Sequence, residues 1–161
     1  MLVLPRDVRL QHSMQEARED GTAMGDDPKV LAYHQAGYAL VALTLGYRCY
    51  SLAIKDGGKA VCDEPAEHAL SLLIASFIAE AKQTGETDIW RDEDDRVRAA
   101  DLALWITRGD LDTASALLST ITERTKARIE EHWSQIETIA NALAEKGRLS
   151  GEEILALVGK E

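Results

Sequence analysis

Three side chains on one short stretch, His34, Gln35 and Tyr38, stand where a helix could perform metal chemistry. In the pattern H-E-x-x-H, two histidines one helical turn apart point the same way and bind a single Zn²⁺. The glutamate between them takes the proton from a metal-bound water. In His34-Gln35-Ala36-Gly37-Tyr38 the first histidine is kept, glutamine stands at the base and tyrosine stands at the second histidine. An amide has no usable proton affinity, so Gln35 cannot act as a general base. A phenol of pKa about 10 stays protonated near neutral pH and ligates poorly, so Tyr38 is no substitute for an imidazole. Spacing survives while the reactive atoms do not. The expected state of His34 is therefore a core histidine, satisfied by hydrogen bonds to Tyr38 or other polar groups in place of an ion.

The element that must hold these residues is a helix of about residues 28–45, opened by Asp27 as N-cap with Pro28 at the first helical position and stopped by Gly46. From Val30 to Tyr47 there are 18 residues without a formal charge, which is the lower limit for a membrane span. His34, Gln35, Thr44 and three tyrosines within it would be costly in lipid, and a helix apolar nearly all round is also what a central core helix looks like. A buried core helix is the expectation. Between Tyr47 and Cys62 the pattern turns β-prone around Asp56-Gly57-Gly58, a hairpin signal. A turn centred at Gly57 pairs neither Cys49 nor Cys62 with the other, so both read as free thiols.

Pro65 opens a second helix that runs to Lys82 and stops near Gly85. A third spans about Asp92 to Thr107, with Val97, Ala100 and Leu104 facing inward and Trp105 as a further inward candidate. A long fourth starts at Asp110, carries Leu111 in its apolar pattern and ends before Gly147, with length enough to contain a break. Ser150-Gly151-Glu152-Glu153 is a capping box for a last short helix. The sum is a mainly α (α+β) chain with one small β-hairpin: an N-terminal arm over 1–26 and a single helical domain over 27–161.

With 28 acidic against 18 basic residues and a formal charge of −10, a nucleic-acid backbone is disfavoured as partner. No secretory leader opens the sequence, so a reducing cytoplasm is the expected setting. His68 and His132 read as boundary residues, and Trp90, Trp105 and Trp133 as core anchors. Cys62 with His68 is a thiol–imidazole candidate only if the fold brings the two together.

The longer segments carry a resemblance. Leu31-Ala32-Tyr33-His34-Gln35-Ala36-Gly37-Tyr38-Ala39 resembles the A-Y-H-E-A-G-H-A segment of the FtsH-type ATP-dependent zinc metallopeptidases. Ile74-Ala75-Ser76-Phe77-Ile78-Ala79-Glu80, followed by Gly85-Glu86, resembles that family's L-A-G-R-A-A-E…G-E helix. Asp94-Asp95-Arg96-Val97-Arg98-Ala99-Ala100-Asp101-Leu102-Ala103 is similar to its N-D-L-x-x-A-T-x-L-A helix, in which the aspartate is the third zinc ligand. Trp133 onward, ending in Leu149-Ser150-Gly151-Glu152-Glu153-Ile154, resembles its closing helices. The likeness covers about Asp27 to Val158.

The resemblance implies a helical peptidase-like domain with His34 at the first ligand position, Gln35 at the base, Tyr38 at the second ligand and Asp95 at the third. Two of three ligand positions are kept. The sequence holds no G-x-x-x-x-G-K-[ST] loop, so the expectation is a freestanding domain without ATP, unfoldase or membrane anchor. Three readings follow. The first is an inactive pseudo-peptidase with no metal or other cofactor, acting as a protein- or peptide-binding or regulatory module, self-association included. The second is a metal-dependent peptidase with a non-standard zinc site on His34 and Asp95. The third is a helical structural or oligomerisation domain.

Overall fold

The computed structural model describes residues 27–55, 58–63, 68–90 and 93–159; the N-terminal arm lies outside them. In chain order come α1 (Pro28–Thr44), β1 (Cys49–Ala53), β2 (Lys59–Cys62), α2 (Ala69–Thr84), α3 (Glu93–Ile106), α4 (Leu111–Glu131), α5 (Trp133–Lys146), β3 (Arg148–Ser150) and α6 (Gly151–Val158). The architecture is mainly helical with one small antiparallel sheet.

Helix α1 starts as its sequence dictates, with the Asp27 carboxylate accepting from the Lys29 amide at 2.9 Å and Pro28 in the first turn. Every residue from Val30 to Ala42 is buried, because α2, α5 and the sheet all pack around it. The long uncharged stretch is thus explained by burial in protein. No helix among the described residues is long and apolar enough to cross a membrane.

The sheet has the order β2-β1-β3. The expected hairpin is β1–β2; the third strand, Arg148–Ser150, pairs on the other side of β1 and sets Leu52 opposite Leu149. Within the hairpin, Leu52 faces Ala60 and Ala53 faces Lys59, and an irregularity between Cys49 and Ser51 shifts the register so that Cys49 faces Cys62. The two cysteines are joined by a disulfide, which corrects the reading of free thiols. The physical reason is a hairpin centred one residue before Gly57, combined with a bulge in β1 that adds another residue on that arm. With Cys62 engaged this way, it is no candidate nucleophile; His68 instead hydrogen-bonds the Tyr47 hydroxyl through Nδ1.

The long fourth helix is two. Its break falls at His132, whose φ of −110° and ψ of 18° leave the helical region, and α5 begins at Trp133. On α3 the buried stripe is Ala99, Leu102 and Ala103; of the expected inward residues Leu104 packs partly buried against the core, while Ala100 is half-buried. Val97 is 45% exposed, and Trp105 is half-exposed. Leu111 is 72% exposed, since it sits in the first turn beyond the N-cap Asp110. Trp90 and Trp133 pack against the core as anticipated.

The capping box at Ser150 forms in both directions, Glu153 N to Ser150 Oγ at 3.1 Å and Ser150 N to Glu153 Oε1 at 3.0 Å. Lys146 bonds the same carboxylate, and with the Ser150 amide it lowers the Glu153 pKa to about 2.

Candidate functional site

Helix α1 crosses α2 at the motif, and glycine permits the approach. A Cβ on Gly37 would lie 2.5 Å from Ala79 Cβ and 3.1 Å from the Ala75 carbonyl oxygen. Such a contact leaves room for hydrogen alone, so Gly37, Ala75 and Ala79 set the closeness of the two helices.

One step along this crossing, His34 Nδ1 meets Glu80 Oε1 at 2.5 Å. Both side chains are nearly sealed from solvent, and the Phe77 ring stands edge-on to the imidazole with centroids 6.0 Å apart. The expectation for His34 was a hydrogen bond to Tyr38 or another polar group; Glu80 is a partner that motif spacing did not single out. A signal for it exists in the sequence. Glu80 is the one charged residue in the run Leu70 to Ala81, and an acid within an apolar helix requires a buried polar partner.

His34, Gln35 and Tyr38 are each 1% exposed. Gln35 is the anomaly among them, since its Oε1 and Nε2 are buried and neither has a hydrogen-bond partner among the described residues. An unsatisfied buried amide costs about 1–3 kcal/mol, a penalty that a core selected for packing alone would not carry. Asp95 lies in the first turn of α3, where its carboxylate is 3.6 Å from Arg98 of the same helix.

The residues can be tested against the zinc ion that the resemblance implies. A carboxylate on Nδ1 is a common means of orienting a metal-bound histidine through its other nitrogen, so the His34–Glu80 pair is compatible with a ligand role. The rest of the set is not. Gln35 supplies a neutral amide, Tyr38 supplies a phenol, and among the described residues no three His, Cys, Asp or Glu side chains gather as ligands of one ion. The donors present therefore do not fit a catalytic zinc site, which takes three protein ligands and an open position.

What the arrangement can do is hold two helices in register through a buried polar pair beside a glycine contact. Its side chains are enclosed in the core, with His34, Gln35 and Tyr38 each 1% exposed. No protein-family model matches the chain, and no curated protein matches it.

Proposed function

We propose that this chain is a catalytically silent counterpart of the FtsH-type peptidase domain that works by binding protein or peptide. The observation that carries the reading is the burial of His34, Gln35 and Tyr38, 1% exposed each, with His34 held by Glu80. Side chains at the positions of a hydrolytic centre are built into the core, while the helix and crossing that would present them persist.

The sheet supplies the binding surface in this reading. Because the order is β2-β1-β3, both edges of β1 are occupied and β2 is an edge strand. An extended segment adding to Lys59–Cys62 would gain main-chain hydrogen bonds without any reactive group. Zinc, nucleotide and membrane have no part in it. In the cytoplasm, the setting the sequence suggests, the burial of Cys49 and Cys62, 4% and 8% exposed, limits attack by reducing thiols on the disulfide that closes this hairpin.

The test is hydrogen exchange of the full chain with a library of extended peptides, followed by mass analysis of the peptides. The expected result is protection of β2 amides with every peptide recovered whole. Cleavage that disappears in His34→Ala would overturn the reading in favour of a working peptidase.

A further inference from the structure

An open concavity lies away from the motif and from the sheet. It is a groove of about 460 Å³ between α3 and α4, floored by Trp90. Its α3 wall is Glu93, Arg96, Val97 and Ala100, and its α4 wall is Leu118, Ser119, Thr122 and Glu123. The first set repeats at i, i+3, i+4 and i+7, the single stripe that a helix presents to a neighbour. The second occupies one face of α4 in the same way. Two adjacent helices with such stripes make a trough along which a third helix can lie.

Among the described residues the walls present Trp90, Val97, Ala100 and Leu118 as apolar side chains and Glu93, Arg96 and Glu123 as charged ones. Val97 is 45% exposed, a β-branched side chain that burial would favour, and Trp90 is anchored from behind by Phe77 at 5.8 Å between ring centroids. Among the described lining residues the one cation, Arg96, is paired with Glu93, and Glu123 is the further charge of the walls. Asp94 and Asp101 are exposed on α3, and the chain as a whole carries −10. A field of that sign attracts cations and repels acidic partners. A lysine reaching Trp90 would also meet an aromatic face.

We infer that the α3–α4 groove is a docking site for a basic amphipathic helix, which buries its apolar stripe on Trp90, Val97, Ala100 and Leu118 and sets its cations toward Glu123, Asp94 and Asp101. No residue of β2 lines the groove, so this site and the strand-edge reading succeed or fail separately.

The probe is a labelled helical peptide with Leu at i, i+3, i+4 and i+7 and Lys elsewhere, titrated into the full chain beside a version with Glu in place of every Lys. The Lys peptide is expected to bind at least about tenfold more tightly at low salt, with the advantage shrinking as salt rises. Val97→Lys weakens it about tenfold, by removing apolar contact and adding the wrong charge, and Glu123→Lys weakens it about threefold. Both positions are solvent-accessible, and circular dichroism establishes that each variant is folded. Equal binding of the two peptides overturns the inference, as does binding indifferent to both substitutions. A dimer of the free chain that Val97→Lys dissociates overturns it too, because a second copy would then be the occupant.

Discussion

Gln35 is where sequence and structure disagree most sharply with ordinary packing. A residue whose two amide atoms are buried without partners among the described residues lowers stability, and an apolar side chain of similar length removes that cost. Gln35→Met is expected to stabilise the chain by about 1–2 kcal/mol, read as a shift in the urea midpoint at unchanged slope. A loss of stability of that size would mean that the amide has a partner in solution, and that the motif is not plain core. The residue types at 34, 35 and 38 were legible at once as the H-E-x-x-H spacing with Gln and Tyr in place of Glu and His. Glu80 was not, because its link to His34 spans 46 residues and spacing rules describe only neighbours on one helix. The disulfide was missed for a different reason. A one-residue change of register redirects every cross-strand pair, and neither the bulge at Cys49 and Ser51 nor the position of the turn is encoded in β-propensity.

Among the elements, the α1–α2 crossing is the one on which the site depends. Gly37 is usually an expensive helix residue, about 1 kcal/mol worse than alanine, and its retention is explained by Ala79 Cβ lying 2.5 Å from where its own Cβ would be. Gly37→Ala should therefore destabilise by about 1–2 kcal/mol, overpacking outweighing the propensity gained. Ala79→Gly alone costs about 1 kcal/mol by propensity. Combined, the two should lose less than the sum, with a coupling of about 1 kcal/mol in a denaturation cycle; strict additivity would show that the helices do not meet at this point. The helices at Asp27, Asp110 and Ser150 were readable from period and caps; α2 and α5 start without a side-chain cap, so the break at His132 was not fixed by pattern, and the expected opening at Pro65 lies outside the described residues. Helix facing was less readable. On α3 the apolar positions Val97, Ala99, Ala100, Leu102, Ala103 and Leu104 populate two adjoining stripes, and only tertiary contact decides that Ala99, Leu102 and Ala103 turn inward. The stripe left outside is the one that lines the groove.

At the scale of the molecule, the mainly helical class with a small sheet followed from composition and punctuation. The third strand did not, since three residues after Gly147 carry too little pattern to announce a pairing with β1 that only the folded chain creates. The same folding encloses the motif helix, with every residue from Val30 to Ala42 buried, and this enclosure is what the proposal of a catalytically silent domain rests on. A chemically silent motif on α1 is tested by the metal content of the full chain purified from zinc-supplemented medium without chelator. Well under one equivalent of zinc per chain is expected. Stoichiometric zinc, lost on His34→Ala and again on Asp95→Ala, would contradict it.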